Sequence, residues 1–269
     1  MVEVTVLQMP ITMSLSIPIE HTLAAWMIAG SRVTGLLVAA PFFGSAGLPV
    51  RIKIGLAFLL TLLLVPLVPV PAALPGPALA VVLLGEFAIG FVLGFTLQLI
   101  FEGALVAGQA CGLQMGYSLA SLMNPDNSQA DSGVLSTFYE LVVLLLFLQL
   151  SVPHWLLRGL ARSFSYLPPG HLSLTWPAVS ALFDFASAMF VAGLQISAPI
   201  LVASLLADVG LGFLGKASPQ LPVLFVGISI KNLLGLALLS SAIALWPRFL
   251  DDRFGRALDA SERILRLAH

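Results

Sequence analysis

Long apolar runs separated by polar or proline-rich stretches occupy most of the chain. Runs of membrane-spanning length lie at about 22–43, 54–70, 79–101, 134–152, 177–206 and 221–246. An α-helix needs roughly 20 apolar residues to cross the hydrocarbon core of a bilayer, so each run predicts a helix. The run 177–206 is long for one span, and its Pro199 predicts a kink or a break. The pattern predicts an all-α, multi-helix integral membrane protein.

The stretch from Gly103 to Ser132 interrupts this pattern, because it is neither fully apolar nor basic. Gly108, Gly112 and Gly116 recur every four residues, so on a helix they would form one bare face that another backbone can approach closely. Polar and flexible side chains lie between and after them: Gln109, Gln114, Met115, Tyr117 and Met123. The residues 124–127 are a turn signal. The stretch predicts a membrane-depth element packed against protein.

Composition and charge agree with a membrane protein. The 269 residues are 59% hydrophobic and 9% charged, whereas a soluble domain carries about 25% charged residues. The net charge of -1 argues against a nucleic-acid partner. Basic residues outside the runs lie at Arg51, Lys53, Arg158, Arg162, Lys216 and from Arg248 onward. Counting 103–123 as a seventh crossing places the first loop and the tail on one side, as the positive-inside rule requires. A re-entrant 103–123 would change this count equally well.

The tail is a different kind of segment. Leu250, Phe254, Leu258 and Leu265 fall near one helical face, with arginines and acids elsewhere. This predicts an amphipathic cytoplasmic helix over 247–269 that lies at the membrane interface. A docking helix for a partner is the alternative.

Four ionisable residues lie well inside apolar runs: Arg32, Glu86, Asp184 and Lys231, with Glu140 nearer the end of a run. Each would cost about 2.5–3.5 kcal/mol at the bilayer centre. One interpretation is a proton or ion relay. The other is ion pairing and subunit contact within an assembly, which the sequence favours because no run carries a second relay residue. The sequence leaves the pairing open.

Motifs for catalysis or cofactor binding are nearly absent. Gly210, Gly212 and Gly215 form a G-x-G-x-x-G pattern without a βαβ context, and we interpret it as a loop between spans. The histidines are scattered without metal-ligand spacing. We therefore expect no enzymatic activity, metal or cofactor. Gly85, Gly90 and Gly94 predict tight helix packing around Glu86.

Five segments then suggest a family. They are RVTGLLVAAPFFGSAGLPVRIKIGLA (32–57), GEFAIGFVLGF (85–95), GQACGLQMGYSLASLMNP (108–125), HWLLRGLARSFSYLPPG (154–170) and ADVGLGFLGKASPQLPVLFVG (207–227). In this order they resemble the FliR/SctT family, the R-type subunit of the type III secretion export gate. The resemblance covers nearly the whole chain.

The resemblance implies a non-enzymatic role in assembly of the bacterial flagellum. One R-type copy would join P-type and Q-type subunits in the inner membrane at the flagellar basal body, near FlhB- and FlhA-type components. Unfolded flagellar proteins would pass through this gate. Two alternatives stay open: an injectisome homologue, and a proton-coupled small-solute transporter from a different class.

The resemblance also implies an internal organisation. Residues 1–246 would form one export-gate domain of tilted helical hairpins, raised out of the bilayer plane, with a P-type-like N-terminal part and a Q-type-like hairpin at 177–246. The stretch 103–127 would be a plug in the conduit. Its matching motif comprises Gly108, Gln109, Gly112, Gln114, Met115, Gly116 and Tyr117.

Overall fold

The structure is a computed structural model that describes residues 19–41, 43, 49–69, 76–117, 133–173, 175–218, 220 and 223–268. Within these ranges the regular elements are helices, as the all-α prediction requires. They are α1 Ile19–Ala39, α2 Val50–Leu64 with a 3₁₀ turn at Val65–Leu67, α3 Gly76–Met115, α4 Val134–Gln149, α5 Val152–Tyr166, α6 Trp176–Ala217, α7 Val223–Ile243 and α8 Trp246–Leu267.

Five of the described helices are long and apolar enough to cross a membrane. The bent pair α4 and α5, which meet at 65°, would supply a sixth if they form one span. The bend lies at Ser151, whose φ of 56° places it in the left-handed region. The described part therefore supports an integral membrane protein with five or six candidate spans.

Helix α3 is much longer than the predicted run 79–101. It has 40 residues, or about 60 Å at 1.5 Å per residue, and it continues without interruption through the glycine-rich positions 103–115. This part of the stretch is therefore an extension of α3 and not a separate seventh crossing. Residues 118–132, which include Met123 and the turn signal, lie outside the described residues.

Helix α6 is also continuous, over 42 residues. It passes through Pro199, so the break allowed for at that residue does not occur. Gly210, Gly212 and Gly215 lie inside the same helix. Their interpretation as a loop between spans was wrong, because the apolar residues between them keep the segment helical.

The core forms around α3, which packs against α1, α4, α6 and α8. Three phenyl rings from different helices meet there: Phe101 lies 5.7 Å from Phe147 and 6.5 Å from Phe254, measured between ring centroids. Helices α6 and α7 pair as an antiparallel hairpin, since Gly227 meets Leu211 and Lys231 meets Asp208 further back. This hairpin occupies the region predicted as Q-type-like.

Helix α8 forms as predicted, but its apolar face lies inside the bundle. Leu250, Phe254 and Leu265 are buried in the same core as the residues of α3 and α4. The helix runs back along the first half of α6: Arg253 donates to Gln195 Oε1 at 3.2 Å, and the Thr175 hydroxyl donates to the Leu267 carbonyl at 2.6 Å. The apolar face predicted for a membrane surface or a partner is therefore covered by the chain itself.

Candidate functional site

The crossing of α1 and α3 brings two backbones into direct contact. A Cβ atom on Gly90 would overlap the carbonyl of Arg32, and one on Gly35 would overlap the carbonyl of Phe87. At Gly94 an added Cβ would lie 2.7 Å from the Leu36 carbonyl oxygen. Small residues are the usual means of such close approach between membrane helices. The tight packing predicted for Gly90 and Gly94 is confirmed.

Gly85, the third glycine of that predicted face, has a looser contact. Its nearest neighbour is the Leu172 side chain, 3.5 Å from the position that a Cβ would occupy. Gly85 therefore faces the segment around Leu172 and not α1, although α1 and α3 are also close at Leu83, whose carbonyl accepts a hydrogen bond from the Ser31 hydroxyl at 2.6 Å.

An ion pair is buried beside the crossing. Arg32 Nη2 lies 2.6 Å from Glu86 Oε2, and Arg32 Nε donates to the same oxygen at 2.7 Å. The side chains are 0% and 1% exposed. Two of the four ionisable residues found in apolar runs therefore neutralise each other inside the chain.

Helix α5 and Leu167, the residue that follows it, supply the remaining contacts of the Arg32 guanidinium. Arg32 Nη1 donates to Ser163 Oγ at 2.8 Å, Nη2 donates to the Leu167 carbonyl at 3.1 Å, and Cζ lies 4.0 Å from the centre of the Phe164 ring. A buried ion pair is tolerated when further hydrogen bonds satisfy its remaining polar atoms. Arg32 thus ties α1 to both α3 and α5.

The other two ionisable residues do not join this pair. Lys231 Nζ lies 2.7 Å from Asp208 Oδ1, across the α6–α7 hairpin. Asp184 is exposed and lines a groove of about 340 Å³ between α6 and α8, together with Arg256 and Arg263. Asp184 has no ion pair with another described residue. The four residues therefore form separate contacts and no continuous relay.

Asp208 is the partner that the sequence did not identify. It lies on an apolar helix, as Asp184 does, and only the register of the hairpin decides which of the two carboxylates meets Lys231. The sequence signal for that register is the turn marked by Pro219 and Pro222, because an antiparallel hairpin folded there places position 208 near position 231.

The three glycines of the glycine-rich stretch have three different environments. Gly108 meets α4, where an added Cβ would lie 2.5 Å from Ser136 Cα. Gly112 has more space, since the nearest atom would be Leu135 Cβ at 4.0 Å. Gly116 lies just past the end of α3 with a φ of 87°. The predicted single bare face is therefore only partly used for close packing.

Gly116 ends α3 with a recognisable C-terminal cap. The Tyr117 N–H donates to the Gly112 carbonyl at 3.0 Å, and the Gly116 N–H donates to the Leu113 carbonyl at 3.2 Å. These two hydrogen bonds, together with the left-handed backbone conformation of Gly116, form a Schellman motif. The turn at Gly116 is therefore a built-in stop for α3.

The remaining motif residues lie on different sides of α3. Met115 is fully buried and rests on Gly235 of α7, where an added Cβ would lie 2.5 Å from Met115 Cε. Gln109 is exposed, whereas Gln114 and Tyr117 are half-buried. The described part of the motif thus anchors the end of α3 between α4 and α7.

Within the described residues, no group of three or more His, Cys, Asp or Glu side chains could hold a metal ion. Buried titratable side chains contact each other at two places in the described residues. Besides Arg32 and Glu86, Cys111 Sγ lies 3.4 Å from the Tyr139 hydroxyl.

Comparison with known proteins relates this arrangement to a family. Residues 23–257 match the family described as Bacterial export proteins, family 1, which includes almost all of the described helices. The chain belongs to this family. The matched residues include the helices that carry Arg32, Glu86 and the glycine-rich end of α3.

Several known proteins are similar to this chain along most of their length. The flagellar biosynthetic protein FliR of Escherichia coli strain K12 is 32% identical over 224 residues, which is 83% of this chain and 85% of that protein. The FliR protein of Pectobacterium carotovorum is 32% identical over 238 residues, or 87% and 90% of the two chains. FliR of Bacillus subtilis strain 168 is 28% identical over 211 residues.

Proposed function

We propose that this chain is a non-enzymatic membrane subunit of the flagellar protein-export apparatus, at the basal body in the cytoplasmic membrane. Two similarities carry the proposal: residues 23–257 match an export family, and relatives similar along most of their length are named as flagellar biosynthetic proteins. These names favour a flagellar role over an injectisome role.

The geometry supports a structural subunit more than a proton-coupled transporter. A relay needs ionisable groups that can exchange protons along a path. Here Arg32 and Glu86 are locked together, while Lys231 is paired with Asp208 in another part of the molecule. The charges therefore hold helices together.

The position of α8 supports assembly with other subunits. Its outer face carries exposed charged residues along most of its length, from Arg248 to Arg266. A helix with this charge on its outside is unfavourable in hydrocarbon, yet it packs beside the apolar helices α3 and α6. This is the arrangement expected of a bundle held partly outside the lipid by P-type and Q-type partners.

The glycine-rich stretch is the part that we assign to closure of the conduit. The Schellman turn at Gly116 fixes where α3 ends, and the chain of residues 118–127 continues from that point. Gly108 and Met115 anchor this end of α3 against α4 and α7. A segment that closes a conduit must be attached firmly to the surrounding helices, and these contacts attach the end of α3.

The proposed function is tested by deleting the gene in the bacterium that encodes the chain. We expect loss of motility, of flagellar filaments and of flagellar proteins in the medium, with recovery on complementation by the full chain. The purified chain in liposomes provides the comparison with a transporter. Normal flagella after deletion, or proton-driven solute uptake by the chain alone, would contradict the proposal.

A further inference from the structure

A groove of about 520 Å³ opens between the end of α1, the middle of α3 and α4. Apolar side chains form most of its wall, among them Val38, Phe91, Phe95, Phe101 and Leu144. Around it, large apolar side chains face outward: Val38 is 57% exposed, Leu141 54% and Leu145 65%. In a membrane protein, an exposed apolar surface of this kind faces either lipid or a helix of another subunit.

Two carboxylates lie in this apolar wall. Glu102 of α3 accepts a hydrogen bond from Gln98 Nε2 at 2.8 Å, and Glu140 of α4 lines the same groove. No Lys or Arg is among the residues that line it. Neither carboxylate forms an ion pair with another described residue, although Arg32 and Lys231 on other helices do so with their own partners.

Covering the groove would remove both carboxylates from water. A buried carboxylate without a cationic partner is strongly unfavourable, so an occupant that is only apolar would lose more than it gains. An apolar helix that carries one Lys or Arg at this position would cover the apolar wall and pair with the carboxylates. Anionic lipid headgroups are disfavoured by the same two negative charges.

A second copy of this chain does not supply that cation from its described apolar helices. Arg32 is fully buried, and Lys231 is held by Asp208. In the apolar helices α2 and α6 the basic residues lie in the first or last turn: Arg51, Lys53 and Lys216. Arg158 and Arg162 lie on α5, an amphipathic helix that already packs against α3, α4 and α8 of its own chain. The complementary helix therefore belongs to a different chain.

We propose that the groove between α1, α3 and α4 binds an apolar helix of another membrane subunit, whose Lys or Arg side chain pairs with Glu102 and Glu140. This inference rests on the proposed function, which places such subunits beside the chain. It adds the binding surface on this chain and the residue type that the partner contributes.

The test is site-specific photocrosslinking in cells that carry the full apparatus. A photoreactive phenylalanine analogue replaces Val38 in the groove, and in a control strain it replaces Leu233, which is exposed on α7. We expect the Val38 position to form an adduct with a peptide from an apolar helix of another subunit that contains a Lys or Arg. The double variant Glu102→Gln/Glu140→Gln should lower its yield about tenfold, since loss of a buried charge pair weakens binding by that factor or more.

Controls separate the groove from general effects on the chain. Asp251→Asn removes an exposed carboxylate on α8 and should leave the Val38 adduct unchanged. The Leu233 adducts should not respond to the double Glu variant. Changing the identified basic residue of the partner to Glu should restore the adduct in the variant Glu102→Lys/Glu140→Lys.

The inference is overturned if the Val38 position reacts only with lipid, with a second copy of this chain, or with a helix that has no basic residue. An adduct yield that ignores the double Glu variant also overturns it. Motility is measured in the same cells. Cells that make flagella but give one of these crosslinking results would contradict the groove alone, whereas flagella that persist after deletion of the gene would contradict the proposed function.

Discussion

At the scale of single residues, the buried guanidinium of Arg32 has the clearest tertiary role. It contacts a carboxylate from α3, and a hydroxyl, a carbonyl and a ring from the region of α5. The sequence indicated that Arg32 and Glu86 needed partners, because charged groups in apolar runs are costly. It did not indicate Ser163 or Leu167, since neither residue type stands out in composition.

Removing one member of this pair should destabilise the fold. We expect Arg32→Met to lower the free energy of unfolding by about 3–5 kcal/mol, because Glu86 would remain buried without a cation. The double variant Arg32→Met/Glu86→Met should be closer to the wild type than either single variant. The measurement is the unfolding temperature of the full chain in detergent.

The charge-swapped variant Arg32→Glu/Glu86→Arg gives a further comparison. It should recover only part of the stability, because a carboxylate at position 32 would face the Leu167 carbonyl and the Phe164 ring. Single variants as stable as the wild type would show that the pair contributes little to the fold.

At the scale of elements, the pattern of apolar runs predicted where the helices lie but not how long they are. The apolar runs predicted α1, α2, α4 and α7 near their observed positions. Helices α3 and α6 each extend well beyond their runs. Some of their glycines contact a neighbouring helix closely, whereas other glycines and Pro199 face open space, so these residues do not interrupt the helices. Gly103 and Gly193, for example, face each other so closely that a Cβ on Gly193 would overlap the Gly103 carbonyl. Gly103 and Gly193 are far apart in the chain, so the local sequence does not indicate that they meet.

The end of α3 gives a prediction at this scale. Gly116→Ala would place an L side chain at a φ of 87°, at a cost of about 1–2 kcal/mol, whereas Gly112→Ala meets no atom closer than 4.0 Å. If 103–127 closes the conduit, Gly116→Ala should raise ion leak through the membrane and alter motility, with little effect from Gly112→Ala.

Gly116→Asn is the matched control, because Asn tolerates the left-handed conformation better than Ala does. Its leak should lie nearer the wild type. Unchanged leak and motility in Gly116→Ala would argue against a gating role for this turn.

At the scale of the whole molecule, α8 decides how the bundle is organised. The sequence separated it as a tail because its composition changes sharply at Arg248. In the structure its apolar face fills the space between α3, α4 and α6, and its polar face is turned outward. The described helices therefore form one packed body that includes this segment.

Truncating a core residue of α8 should therefore affect the whole chain. We expect Phe254→Ala to lower the free energy of unfolding by about 3–5 kcal/mol, because its ring packs on Phe101 and Phe147. Arg256→Ala, on the exposed face, loses only an i,i+4 ion pair with Asp252 and should cost about 0.5 kcal/mol or less. Unfolding temperatures and membrane protein levels compare the two variants. Similar losses in both would contradict a core role for α8.

The sequence by itself determined the helical class, the membrane environment, the need to neutralise charges in apolar runs and the tight packing at Gly90 and Gly94. These follow from local composition and helical period, which act over a few residues. Tertiary structure alone decided that Glu86 pairs with Arg32, that α3 and α6 run unbroken, and that α8 packs inward. Each of these outcomes depends on which distant segments meet, because the free energy of burying a charge or an apolar face is fixed by the partner that covers it.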